Sequence, residues 1–274
     1  MTRVLAVANQ KGGVGKTTTT VNVAAALAGM GQRVVVIDLD PQGNASTALG
    51  IEHTEGVPDV YNILTDMSDL SAIVQECPDI PGLWGAPATI DLAGAEIELV
   101  ASEGREYRLR RAVDAYLAEQ ELAGTPLDYV FIDCPPSLGL LTVNGLVAAR
   151  EVLLPIQCEY YALEGLSQLL RTVDMVREHL NPQLKVGAIG LTMYDGRTRL
   201  ASQVVHEVRT HFGAQVLDTV VPRSVRVSEA PSHAQTVLTY DPASPGAIAY
   251  REVAEQLNAL GRPNQEQSLH GSEA

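Results

Sequence analysis

Residues 10–18 read QKGGVGKTT, three glycines set among two lysines and closed by two threonines. Between a buried strand and a helix, such a stretch can hold an anion. Glycines allow a sharp turn and close backbone approach, and the helix start aims free N–H groups at the same point. Gly12, Gly13 and Gly15 supply the turn. Lys16 is placed to reach the β- and γ-phosphates of a nucleotide, Thr17 to put its hydroxyl on Mg²⁺, and Thr18 to hydrogen-bond the α-phosphate. The common spacing G-x-x-x-x-G-K-[ST] needs glycine at position 10, where this chain has Gln10; a second lysine, Lys11, stands directly before Gly12.

Three carboxylates belong to the same reading. Asp38 ends the apolar run 34–37 (VVVI), Asp133 ends 129–132 (YVFI), and Asp40 follows two residues after Asp38. In a parallel sheet, ligands lie beyond the carboxyl ends of the strands, so these acids face the loop. Acids there can orient Mg²⁺-bound waters or the attacking water of phosphoryl transfer. Pro135 and Pro136 fix a rigid turn after Asp133. Cys77, Cys134 and Cys158 are odd in number and widely spaced, which suits reduced thiols and neither a metal site nor a disulfide framework.

The elements that must position these groups follow from hydrophobic pattern. Unbroken apolar runs at 4–8, 34–37, 129–132, 152–156 and 186–191 predict strands buried on both faces. Helical spacing at 17–28, 108–121, 138–148, 163–179, 200–211 and 247–260 alternates with them. That alternation predicts an α/β fold, one doubly wound, mostly parallel sheet with helices on both faces. The stretch 52–104 is less regular, with helical fragments at 60–64 and 70–74, and reads as an elaboration of the same domain. The expected division is one phosphate-loop domain over 1–261 and a polar, disordered tail over 262–274. No apolar run reaches the roughly 18 residues of a membrane-spanning helix, and the amino terminus leaves no room for a signal peptide, so a cytoplasmic protein is expected.

Net charge is −14, which alone argues against a protein that coats DNA. Residues 196–233 are the exception, with five arginines against three acids. Only three lysines occur in the chain, and two of them lie in the glycine-rich loop. A compact ammonium suits phosphate oxygens in a tight loop better than a guanidinium fork does.

Together these residues resemble the deviant Walker A ATPases, whose loop K-G-G-x-G-K-[ST]-T places a signature lysine at Lys11. The likeness sharpens to the ParA/Soj partitioning ATPases through 36–47 (VIDLDPQGNAST), 87–99, 128–146, 156–170, 191–204 and 221–237, covering nearly all of 1–258. The resemblance implies that Gly12, Gly13, Val14, Gly15, Lys16, Thr17 and Thr18 bind the ATP phosphates in cis. It implies that Lys11 reaches the partner's phosphates across an ATP-sandwich homodimer. Asp40 would position the hydrolytic water; Thr17, Asp38 in the same switch region, and Asp133 would form the Mg²⁺ site, with Asp133 acting through water. The family's adenine contact, a P-R-N segment, maps to Pro222, Arg223 and Ser224, with serine replacing asparagine. Dimers of this family bind double-stranded DNA without sequence preference through surface cations, for which Arg197, Arg199, Arg223 and Arg226 are the candidates.

The resemblance thus implies an ATP-gated switch between monomer and nucleoid-bound dimer, stimulated by a ParB/Spo0J-like partner and driving chromosome or plasmid segregation. With the chain starting at its first strand, the helix-turn-helix domain of some plasmid relatives is not expected. Two relatives remain as alternatives: a ParA-like positioner of non-chromosomal cargo, and a MinD-like division-site ATPase. The MinD reading wants a basic amphipathic helix at the carboxyl end, where this chain is acidic and polar. A reductase holding a cluster between subunits would need two suitably placed cysteines, for which the three here offer no context.

Overall fold

The computed structural model describes residues 1–159 and 162–261. Its strands are β1 (Arg3–Val7), β2 (Val34–Asp38), β3 (Gln75–Glu76), β4 (Leu83–Ala86), β5 (Tyr129–Asp133), β6 (Glu151–Gln157), β7 (Lys185–Tyr194) and β8 (Val216–Pro222). They form one sheet in the order β3-β4-β2-β5-β1-β6-β7-β8, parallel throughout except for β3 against β4. The helices are α1 (Lys16–Gly29), α2 (Asn44–Leu49), α3 (Val60–Thr65), α4 (Leu92–Glu98), α5 (Arg108–Leu122), α6 (Leu140–Ala148), α7 (Ala162–His179), α8 (Arg199–Phe212), α9 (Val225–Glu229), α10 (Val237–Tyr240) and α11 (Pro245–Leu260).

The unbroken apolar runs have a direct cause. Alternate side chains of β1 enter two cores: Val4 and Ala6 pack with α3 to α8, while Leu5 and Val7 pack with α1, α2 and α11. A strand covered on both faces has no polar side to alternate with. Fully burying a side chain such as Leu5, Ile37 or Phe131 stabilises the fold by about 1.5–3 kcal/mol. Tyr129 and Asp133 are register partners of Arg3 and Val7, so β1 and β5 deliver the loop and the second acid to one sheet edge.

Three strands lack the expected signal. In β4 (LWGA) the run is broken by Gly85, where a Cβ would meet Ile51 Cδ1 at 2.7 Å. The edge strand β8 pairs only with β7 and carries exposed Asp218, and β3 is two residues long. The expected helical fragment at 70–74 is a single 3₁₀ turn, Leu70–Ala72. The final helix docks back on the first strand: the Arg3 guanidinium donates to Glu151 and to the Leu257 carbonyl, and stacks 5.6 Å from the Tyr129 ring centroid. Among the described residues no helix is long and apolar enough to cross a membrane. The expected tail at 262–274 lies outside the described residues.

Candidate functional site: a phosphate loop between two buried acids

The loop after β1 turns through Gly13 (φ 72°) and Gly15 (φ 87°), a left-handed conformation that side chains with a Cβ rarely adopt. Gly15 caps α1 without a side-chain bond, and the first turn of α1 carries no acid. The free N–H groups there are left for an exogenous anion. Lys16 strengthens that demand. It is buried, its Nζ donates to the Lys11 carbonyl at 3.4 Å, and no ion pair among the described residues includes it. Burial holds its pKa below the ordinary lysine value, against the pull of Asp133 and Asp40. A buried ammonium without a paired anion is stabilised by any phosphate that enters.

A cavity of about 440 Å³ opens on this loop. Gly12, Gly13, Gly15, Lys16, Thr17 and Thr18 line it, with Asp40, Gln42 and Pro136. So do Asn22, Met193, Pro231 and Gln235. Val14 is packed inward, its carbonyl accepting from Thr192 Oγ1 at 2.8 Å, which ties the loop to β7. Met193 holds φ at 51°, a strained value for a side chain of its size, and its Cε lies 3.7 Å from where a Cβ on Gly15 would be.

Asp133 receives two hydroxyls from α1: Thr17 Oγ1 at 2.6 Å and Thr20 Oγ1 at 2.9 Å. Burial, then repulsion from Asp38, pushes its pKa up. Asp38 is raised by burial as well, yet both its oxygens are engaged. Oδ2 accepts from Ser46 N at 2.8 Å and Ser46 Oγ at 2.7 Å, and Oδ1 accepts from Asp40 N at 3.2 Å. Asp38 therefore anchors the loop that carries Asp40, and Ser46 Oγ passes the link on by accepting from Ala88 N at 3.1 Å. Asp40 Oδ1 accepts from Gln42 N at 3.1 Å. Among the described residues no three His, Cys, Asp or Glu are grouped to hold a metal ion. The donor set of Thr17 hydroxyl beside Asp133 suits a cation that takes its remaining oxygens from phosphates and water, as Mg²⁺ does.

Lys11 does not line the cavity; its Nζ pairs with Glu159 Oε2 at 3.2 Å. Pro222 ends β8 and Ser224 caps α9, and neither lines the cavity. The arginine candidates are exposed but mostly engaged. Arg197 is gripped by Asp195 at 2.8 and 2.7 Å, which draws the Asp195 pKa down to about 2. Arg223 meets Glu159 at 3.5 Å, and Arg226 meets Glu229 at 3.1 Å and Asp241 at 3.4 Å. Arg199, at the start of α8, has no ion pair among the described residues. The three cysteines are free and buried, and burial pushes each thiol up, Cys158 to about 11.

The motif reading missed Ser46, Asn22, Met193 and Gln235. Three of these lie within segments that carry the family likeness (36–47, 191–204 and 221–237), but nothing in their types marks them. Asn22 is fixed by one local contact, donating to Thr18 O within α1, and by one distant in sequence, accepting from Val237 N.

Fold and loop together define a P-loop ATPase, with ATP and Mg²⁺ as its ligands. A family model described as the AAA domain matches residues 2–186. The sporulation initiation inhibitor protein Soj of Bacillus subtilis is 51% identical over 261 residues, covering 95% of this chain and 100% of that protein. The chromosome partitioning protein ParA of Caulobacter vibrioides is 50% identical over 264 residues, 96% of each chain. The chain belongs to the ParA/Soj family of chromosome-partitioning ATPases. Among solved structures, one from Mycobacterium smegmatis described as cobyrinic acid a,c-diamide synthase, with bound ATP analog and magnesium, is 42% identical with a TM-score of 0.78, covering 93% of both chains. The cell division ATPase MinD of Pyrococcus furiosus shares the fold, with a TM-score of 0.76 at 21% identity over 95% of this chain and 100% of that one.

Proposed function

We propose that this partitioning ATPase works as an ATP-gated dimer that binds DNA without sequence preference. The observation that carries the reading is Lys11. It sits in the phosphate loop but outside its own chain's cavity, as a lysine serving a partner's nucleotide would. In cis, Lys16 and the backbone N–H groups from Gly12 to Thr18 hold the phosphates. Thr17 and Asp133 hold Mg²⁺, which neutralises phosphate charge. Asp40, which lines the cavity and whose loop is tied back to Asp38, orients the attacking water. Asp38 keeps that loop in place. Asn22, Pro231 and Gln235, which also line the cavity, are the candidates to meet the base, with Pro222 and Ser224 nearby in sequence to Pro231.

DNA binding falls to Arg197, Arg199, Arg223 and Arg226. A single strip of four cations is weak on a chain of net charge −14, but a dimer presents two. Hydrolysis removes the γ-phosphate bridge and releases the dimer, a step that a ParB-like protein accelerates on the nucleoid. Among the described residues a membrane-cycling alternative gains nothing from α11, whose Tyr250, Val253, Ala254 and Leu257 are spent in the core.

Co-sedimentation of the protein with DNA in ATP, in ADP and without nucleotide tests the scheme. Binding in ATP alone is expected, and equal binding in all three would overturn it. Lys11→Ala should bind nucleotide as a monomer but fail to dimerise.

A further inference from the structure

Lys11 is occupied before any partner arrives. Its Nζ lies 3.2 Å from Glu159 Oε2. The other oxygen, Oε1, accepts from Gln157 Nε2 and faces an Arg223 guanidinium nitrogen at 3.5 Å. Two donors therefore orient one carboxylate and leave its second oxygen aimed at the lysine. Those donors come from the ends of different strands, Gln157 closing β6 and Arg223 following β8, while Lys11 belongs to the loop after β1. Lys11 is steadied from behind as well, its backbone N–H donating to Asn9 Oδ1 at 3.0 Å.

The geometry points to Glu159 as an intramolecular latch on Lys11, a carboxylate of the same chain that must give up the ammonium before it can reach a partner's phosphates. This rests on the trans role proposed above for Lys11. The latch is weak by construction. The Lys11 and Glu159 side chains are 39% and 44% exposed, so water screens the pair. An exposed pair of this kind shifts an equilibrium by about two- to fivefold. Dimerisation releases two lysines, so the effect enters twice, about 4- to 25-fold in the dimerisation constant. A phosphate chain carrying several negative charges outcompetes one carboxylate, whereas a surface lacking nucleotide does not. The latch thus suppresses encounters between empty subunits and leaves ATP-loaded ones able to join.

Glu159→Gln keeps the shape and removes the charge. Sedimentation velocity with a non-hydrolysable ATP analogue should give a dimerisation constant about 4- to 25-fold tighter than wild type, with the difference shrinking at about 0.5 M salt. In nucleotide-free protein, acylation of Lys11 by an amine-reactive reagent, followed by mass spectrometry, should be faster in the variant. Unchanged dimerisation overturns the latch, and weaker dimerisation does so by placing Glu159 in the dimer contact instead. If wild type does not dimerise with the analogue, the dimer scheme itself falls. The latch is then judged by labelling: faster acylation in Glu159→Gln sustains it, and equal rates overturn it.

Discussion

Asp38 and Asp133 are register partners at the carboxyl ends of neighbouring parallel strands, both buried, one anchored by Ser46 and the other by Thr17 and Thr20. Burial raises both pKa values, with repulsion from Asp38 adding to it at Asp133 and repulsion from Asp40 adding to it at Asp38. The folded chain therefore binds protons at these acids more tightly than the unfolded chain does. Between the ordinary carboxylate range and the raised values, stability falls as pH rises. Acidifying nucleotide-free protein from about pH 8 to about pH 6 should increase the contribution of this pair to the urea midpoint. Asp133→Asn should flatten that slope. Identical slopes for the variant and wild type would show that the pair is not the cause.

Ser46 joins Asp38 to the backbone at Ala88. Ser46→Ala leaves a buried carboxylate oxygen and a buried N–H each short of a partner. A loss of about 1–3 kcal/mol in chemical denaturation is expected. Turnover should drop with it, because Asp40 is held through Asp38; a destabilised variant with wild-type turnover would separate the two.

Asp40 is the acid on the cavity wall. Asp40→Ala should lower kcat by about 10²-fold or more while ATP stays bound, read as slow phosphate release from a stoichiometric complex. Wild-type turnover in that variant would remove Asp40 from water positioning.

The four arginines should not weigh equally on DNA. Arg199 has no ion-pair partner to abandon among the described residues, whereas Arg197 must leave the two-point grip of Asp195. Arg199→Ala should reduce the slope of log affinity against log salt by about one per subunit, and Arg197→Ala by less. Fluorescence anisotropy with labelled duplex at several salt concentrations, in an ATP analogue, ranks them. The reverse order would show that the ion pairs do not restrain the strip.

Met193 carries the backbone strain of the site. Met193→Gly relieves a φ of 51° and should raise the stability of nucleotide-free protein by about 1 kcal/mol, while ATP affinity falls with the lost cavity wall. Thermal melts and titration with a fluorescent ATP analogue check the two halves. A gain in both stability and affinity would mean that the side chain does nothing for the ligand.

The parallel strands were legible because burial on both faces erases alternation, as Val34–Asp38 shows. The loop was legible because few residue types tolerate the angles at Gly13 and Gly15. The edge strand β8 was not, since Asp218 and Thr219 on a half-covered strand look like loop. Asp38 was legible as an acid at a strand end but not as an anchor. That role depends on Ser46, eight residues away, where α2 happens to place its N–H and hydroxyl. Glu159 gave no local signal, because its two cationic partners lie 148 and 64 residues away.

The grip of Arg3 on Glu151 and the Leu257 carbonyl has a practical reading. It brings the beginning of the first strand and the end of the last helix side by side, at the opposite end of β1 from the phosphate loop. A dye or fluorescent protein joined before Arg3 or after Gly261 would occupy nearly the same place and leave the nucleotide mouth clear. For the same reason a short peptide could close 261 back onto residue 1, and new ends could be opened at an exposed turn such as Gly124 without disturbing either core.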